Sequence, residues 1–284
     1  MTFSVDFLSK SWLCSTDDLD KSDMVLVGIP YDGTCSFKPG TRFGPEAARV
    51  ASIGLESYSP YQDKDLEDSA FYDAGELDLP FGNRDKVLDI IYTCAKETLS
   101  MDKKFVGVGG EHLVTYPVLK AYLEKYPDIA VIHFDAHADL REDYLDESLS
   151  HATVMRRITD HIGADSFKQV GIRSGTKEEF AWIRKNNTLL TSLDEAKEVV
   201  QKFKNRPIFL SIDLDVLDPS IMSGTGTQEA GGLNFKEFIE WLKAFSSLNF
   251  VGADIVELSP AYDTSGVSTV TAAKVIREVL LMMS

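Results

Sequence analysis

Cysteine is scarce: Cys14, Cys35 and Cys94 are the only three in 284 residues, and none forms a CxxC pair. An odd, sparse set suits a reducing cytoplasm, with the thiols acting as small buried hydrophobes. Long apolar runs are missing too. No stretch of 18 or more apolar residues occurs, so no transmembrane helix is expected. The opening segment "MTFSVDFLSKSWLCSTDDLDKSD" lacks a basic start, an apolar block and a small-residue cleavage site, which argues against a secretory signal. Positive charge is also short. Lys and Arg number 29 against 45 Asp and Glu, a net charge of −16. Phosphates would be repelled, which argues against nucleic acid as a partner, whereas a cationic substrate is compatible. The glycines at 107, 109 and 110 lack the GxGxxG spacing of a dinucleotide site. "GTGTQEAGG" (224–232) lacks the Lys-Ser/Thr of a phosphate loop and reads as a pocket wall or an ordinary turn. No repeat, low-complexity tract or Pro/Gly/Ser linker divides the chain, so a single domain over 1–284 is expected.

What is present is a hydrophobic content of 44%, enough for a large core. Apolar, β-branched runs recur: "MVLVGIP" (24–30), "KFVGVGG" (104–110), "IAVIHFD" (129–135), "KQVGIR" (168–173), "PIFLSID" (207–213) and "FVGADIVE" (250–257). Runs of this kind fit strands covered on both faces of a parallel sheet. Between them, residues 84–99, 235–247 and 271–283 carry helical periodicity, the second opened by Asn234 and Glu237 in capping-box spacing. Alternating strand and helix predicts an α/β fold on a mostly parallel sheet, where ligands gather at the carboxyl ends of strands.

Those ends are where the polar residues sit. The run at 104–110 stops at Glu111-His112, and the run at 129–135 stops at Asp135-Ala-His137-Ala-Asp139. The run at 207–213 ends in Asp213-Leu-Asp215, and the run at 250–257 ends in Glu257. On an extended segment alternate residues share a face, which would group Asp135, His137 and Asp139, and likewise Asp213 and Asp215. Four crowded aspartates repel unless something positive lies among them. Two divalent cations would balance them, with His112 and His137 as neutral nitrogen ligands. Oxygen-rich ligation of this kind favours Mn²⁺ over zinc. A bridging carboxylate suits a two-metal site about 3.5–4 Å across. His133 is out of phase with Asp135 and reads as structural; His161 reads as surface.

Together these motifs resemble the ureohydrolase family of arginases, agmatinases and relatives, with the agmatinase branch nearest. The matching pieces are "KPGTRFGPEAAR" (38–49), "GGEH" (109–112), "FDAHADL" (134–140), "SHAT" (150–153), "SIDLDVLDP" (211–219), "GTGTQEAGG" (224–232) and "DIVELSP" (254–260). The resemblance implies a three-layer α/β/α sandwich that assembles as a homotrimer or homohexamer. It implies two Mn²⁺ per subunit, one held by His112, Asp135, Asp139 and Asp213, the other by His137, Asp135, Asp213 and Asp215. It gives His151 the proton-transfer role and Glu257 the guanidinium-binding role, with Asp139 orienting the metal-bound nucleophile. Glu111, Leu113 and Gln228 depart from common family forms; none is an expected ligand.

The implied substrate is a small cationic guanidine. Agmatine, giving putrescine and urea, is favoured; aminopropylagmatine, arginine and guanidino acids such as guanidinobutyrate are alternatives. Where arginases carry an Asn that reads the amino-acid end of arginine, this chain has Arg141, followed by the acidic residues Glu142, Asp143, Asp146 and Glu147. The acids suit an amine tail, while Arg141 could bind a carboxylate. A two-metal phosphoesterase and a non-catalytic binding subunit are the rivals from other classes. No membrane partner is expected.

Overall fold

The computed structural model describes residues 4, 5, 7, 8 and 11–284. Among the described residues, eleven strands and eight α-helices follow one another. The strands are β1 (Phe7–Leu8), β2 (Met24–Ile29), β3 (Tyr58–Ser59), β4 (Lys64–Asp65), β5 (Phe71–Leu77), β6 (Lys104–Gly109), β7 (Ala130–Phe134), β8 (Phe167–Val170), β9 (Leu189–Leu190), β10 (Pro207–Asp213) and β11 (Asn249–Val256). The helices are α1 (Gly44–Ser52), α2 (Arg84–Ser100), α3 (Thr115–Lys125), α4 (Val154–Ile162), α5 (Lys177–Asn186), α6 (Leu193–Phe203), α7 (Phe235–Phe245) and α8 (Val267–Met283).

Nine strands form one sheet in the order β1-β5-β2-β6-β11-β10-β7-β8-β9, and β3 pairs with β4 alone. Among the described residues of the large sheet, only β1 against β5 is antiparallel. Successive strand residues feed opposite faces, as the pleat requires. Leu26, Val106, Ile132, Leu210 and Ile255 pack toward α1, α6, α7 and α8. Val25, Phe105, Val131, Phe209 and Val251 pack toward α2, α3, α4 and α5. Both faces are buried, which is why the strand runs are almost wholly apolar. This is the expected three-layer α/β/α architecture on a mostly parallel sheet.

The expected strands stand within one to three residues of their sequence bounds. The helix expected at 84–99 spans 84–100, and α8 begins four residues before the expected 271. Asn234 and Glu237 do form a reciprocal capping box on α7. Among the described residues no helix is long and apolar enough to cross a membrane.

Strand order explains the clustering of polar ends. β6, β11, β10 and β7 are consecutive neighbours in the middle of the sheet. Their carboxyl ends therefore open side by side and deliver His112, Glu257, Asp213 and Asp135 to one place. Gly110 makes the junction possible. Its amide donates to Ile29 O (2.8 Å) and the next amide, Glu111 N, donates to Tyr31 O (2.7 Å). A Cβ at position 110 would lie 1.8 Å from Tyr31 O, so only glycine lets these two loops touch.

Candidate metal centre

The cup at the strand ends is assembled from turns rather than from extended chain. β7 stops at Phe134, and residues 135–139 curl, with Asp139 at φ +54°. Asp213 ends β10, and Asp215 lies in the 3-10 turn Leu214–Val216 that Asp213 itself caps through Asp215 N (2.8 Å). The acids thus converge, but by loop curvature and not by the strand alternation expected from their spacing. Glu257 also has a left-handed backbone, at φ +69°. Non-glycine residues in that region are costly and tend to mark functional sites.

His112 Nδ1 lies 3.1 Å from Asp135 Oδ2, 3.2 Å from Asp139 Oδ2 and 3.4 Å from Asp213 Oδ2. It is buried and hydrogen-bonds to none of them. The opposite ring nitrogen is committed. Nε2 sits 2.9 Å from Ser211 Oγ, whose own proton goes to Asp254 Oδ1 at 2.7 Å. The Ser211 oxygen must then accept from Nε2–H, which leaves the Nδ1 lone pair aimed at three carboxylate oxygens. Lone pairs facing lone pairs in a dry cup call for a cation, and this donor set fits one.

His137 Nδ1 lies 2.9 Å from Asp215 Oδ2 and 3.6 Å from Asp135 Oδ1. Asp135 stands between the two histidines. A second group of donors, Asp135, His137 and Asp215, converges beside the group around His112. All six expected ligands are therefore brought together. His133, expected to be structural, also touches the cup. Its Nε2 is 2.9 Å from Asp135 Oδ2, and Gln169 Nε2 donates to its Nδ1 at 3.2 Å, so His133 donates to Asp135 and orients it. His161 is exposed, as expected.

The electrostatics follow from burial and crowding. Burial and the neighbouring Asp135 push Asp139 up to about 7. Burial, Asp215 and Asp135 hold Asp213 well above the usual carboxylate range. Asp135 goes the other way: burial is outweighed by His112, His133 and His137, which hold it well below. Burial alone would lower His137, but Asp215 and Asp135 lift it to about 12. Burial and Glu111 raise Glu257 well above its ordinary value.

These groups open into a cleft of about 290 Å³ that also exposes Ser36, Arg141, Tyr144, His151, Thr176, Glu179, Thr227 and Glu257. Glu257 Oε1 accepts from His112 N (2.8 Å), so the carboxylate is anchored to the cup wall. His151 begins the 3-10 turn ahead of α4, with Nδ1 3.3 Å from Thr34 Oγ1 and Nε2 3.4 Å from Ser36 Oγ. Burial, aided by the nearby His112, His137 and Arg141, pushes His151 down to about 4, so the ring is neutral at pH 7.

A family model for the arginase family matches residues 22–282. The chain belongs to the arginase family. Among arginase-family relatives, the agmatinase of Bacillus subtilis is 47% identical over 99% of both chains. The agmatinase of Bacillus cereus is 46% identical over the same shares. A Clostridium difficile crystal structure, proposed to be an agmatinase, superposes with TM-score 0.90 at 46% identity over 94% of this chain and 99% of that one.

Several residues around the cleft escaped the sequence reading. Ser211 and Asp254 lie inside apolar runs, and a buried polar residue there needs a partner; that was the available signal. Thr34, Ser36 and Glu179 carried none. The acidic loop after Arg141 lends no carboxylate to the cleft lining. Glu142 pairs with Arg156 (3.1 Å) and Glu147 with Arg84. The carboxylate near Arg141 is instead Glu179, whose Oε2 caps α5 through Thr176 N (2.7 Å) and lies 3.7 Å from Arg141 Nε.

Proposed function

We propose that the chain hydrolyses agmatine to putrescine and urea, using two Mn²⁺ ions, and that residues 1–284 work as one catalytic unit. The carrying observation is that a cup of cation-demanding donors and the anchored Glu257 carboxylate line the same cleft. His112, Asp135, Asp139 and Asp213 would hold one ion, and His137, Asp135, Asp213 and Asp215 the other. Bound there, the ions would supply Lewis acidity, lowering the pKa of water enough to make a nucleophile at neutral pH. Likeness to agmatinases over nearly the whole chain supports the substrate. Cytoplasmic assembly as a homotrimer or homohexamer, without nucleic acid or membrane partners, belongs to the same reading.

The chain's own residues then divide the work. A guanidinium stays protonated at pH 7, so it needs a carboxylate to seat it. Glu257, fixed through His112 N, pairs with it and sets its carbon against the cup, an orientation effect that reaches about 7 kcal/mol or more in well-aligned reactions. Asp139, on the wall of the cup, takes the proton of the hydroxyl added to the guanidinium carbon and hands it to the departing amine, without which the tetrahedral adduct reverts. His151, neutral at rest, takes a proton from solvent at Nε2 and passes it inward. A ring held at about 4 gives that proton up readily.

Arg141 bears on the tail of the substrate. Its guanidinium stacks 4.7 Å from the centre of the Tyr144 ring, and its Nε faces Glu179. Held on both sides, it is not free to clamp a carboxylate, which favours the amine tail of agmatine over that of a guanidino acid. The experiment is urea release after Mn²⁺ loading, with agmatine, aminopropylagmatine, arginine and guanidinobutyrate in parallel. Agmatine should give the highest kcat/KM by about tenfold or more. Urea from arginine or guanidinobutyrate and none from agmatine would reverse the assignment.

A further inference from the structure

Glu111 is fully buried one residue before the proposed ligand His112, and its carboxylate closes on the turn after β2. Oε2 accepts from Thr34 N (2.7 Å) and Oε1 accepts from the Thr34 hydroxyl (2.7 Å). Thr34 in turn meets His151 twice. Its Oγ1 accepts from His151 N at 3.1 Å and lies 3.3 Å from His151 Nδ1. Three segments far apart in sequence are joined through one hydroxyl: the turn after β2, the end of β6 and the start of α4.

The direction of this chain is set by proton count. A threonine hydroxyl has one proton and two lone pairs. Its proton goes to Glu111 Oε1. Its oxygen is left to accept only, so the His151 atom facing it, Nδ1, must carry hydrogen. The bare nitrogen is then Nε2, on the side of Ser36 and the cleft. With the other tautomer, Nε2 would already hold a proton and could not take one from solvent.

We propose that Glu111 and Thr34 are positioning residues for His151: the carboxylate draws the Thr34 hydroxyl proton, the Thr34 oxygen holds Nδ1–H, and the imidazole is left with Nε2 as its proton-exchanging atom. This rests on the reading of His151 as proton carrier. In the cycle, Nε2 takes a proton from water, the imidazolium keeps its Nδ1–H on Thr34, and Nε2 releases the proton inward. The ring returns to the tautomer it started from, with no net change at Thr34 or Glu111.

The test uses the full, Mn²⁺-loaded chain and its variants Thr34→Val, Thr34→Ser, Glu111→Gln, His151→Asn and the double variant Thr34→Val/His151→Asn. Thr34→Val should lower kcat by about 10- to 100-fold, with agmatine KM and bound metal within about twofold of the parent. Thr34→Ser should restore kcat to within about threefold. Glu111→Gln should fall like Thr34→Val. Its amide N–H must donate to Thr34 Oγ1, which turns the hydroxyl proton toward Nδ1 and moves the ring proton to Nε2. In the His151→Asn background, Thr34→Val should cost less than about twofold more, because its effect runs through the ring. If Thr34→Val fails to fold, Glu111→Gln, a near-isosteric change, carries the same comparison. The inference is overturned if both changes leave kcat within about twofold while His151→Asn still loses it. It is equally overturned if Thr34→Val costs as much with Asn at 151 as with His. Full kcat in His151→Asn alone would remove the proton-carrier reading instead.

Discussion

The cleft has a floor and a mouth, and they are built differently. The floor is the cup of His112, Asp135, Asp213 and Asp215, all buried at the ends of neighbouring central strands. Its side chains are held from behind by buried groups: Ser211 and Asp254 behind His112, and His133 and Gln169 behind Asp135. The mouth is Ser36, Arg141, Tyr144 and His151, carried on loops and a helix start. Tyr144 rides on a tight reversal, with Tyr144 N donating to Glu147 O (2.9 Å) and Glu147 N donating back to Tyr144 O (3.1 Å). Its two central residues, Leu145 and Asp146, are both left-handed. A rigid floor keeps donors within the narrow tolerance that metal chemistry needs, whereas a loop-borne mouth can be altered for a different substrate tail without disturbing them.

The largest effect should come from breaking the floor at its shared member. Asp135→Asn removes the carboxylate that stands between His112 and His137. Bound metal and urea release should fall together, turnover by roughly 10³-fold or more. Metal analysis beside the activity assay decides it. Retained activity, or lost activity with metal still bound, would mean that Asp135 is not the centre of the cup.

The same contrast governs what could be read in the sequence. The floor was legible because its residues sit at fixed offsets after apolar runs, in strands whose order along the sheet makes their ends neighbours. The mechanism of convergence was not, since Asp139 reaches the cup through a left-handed turn that spacing alone does not reveal. β5 and the two-residue edge strands β1 and β9 lacked a continuous apolar run, and tertiary pairing decides such segments. The mouth was legible only in part: His151 and Arg141 stood out in the sequence, but not the residues that hold them. Thr34 meets Glu111 across 77 residues and His151 across 117, a proximity no local pattern encodes. The reversal at Leu145-Asp146 carries neither Asn-Gly nor Asp-Gly, so nothing announced a hairpin turn there. Its acids looked like substrate readers, but Glu142 and Glu147 are paired with Arg156 and Arg84 outside the cleft lining.

An intermediate effect should follow from loosening the floor without touching a proposed ligand. Ser211→Ala and Asp254→Leu each cut the chain that keeps His112 Nδ1 bare, the second by removing both carboxylate acceptors from Ser211 Oγ. Asp254 is deeply buried, and burial raises its carboxyl to about 6. Loss of the serine hydroxyl frees Nε2–H, lets the ring exchange tautomers, and leaves Asp254 unpaired. Metal affinity, measured by competition with a chelator, should drop by about 10- to 100-fold in each variant, with little further loss in the double variant. Unchanged affinity would show that the first donor set is rigid without support from behind.

The smallest effect should come from the mouth, through Tyr144→Leu. The Tyr144 ring holds Arg141 by a cation–π contact, and its hydroxyl donates to Ser36 Oγ (3.2 Å). A half-exposed contact of this type is worth about 0.5–1 kcal/mol. Leucine keeps bulk but gives the guanidinium no π-face, so Arg141 gains freedom to swing into the cleft. A mobile cation there repels the ammonium tail of agmatine and attracts the carboxylate of guanidinobutyrate. Agmatine KM should therefore rise by about two- to fivefold, kcat should hold within about twofold, and guanidinobutyrate should gain relative to agmatine. Bound metal should not change, because none of the proposed ligands hydrogen-bonds to Tyr144. A Tyr144→Leu enzyme that loses metal, or loses kcat by more than about tenfold with KM intact, would show that mouth and floor are one mechanical unit and that substrate choice cannot be altered independently of the chemistry.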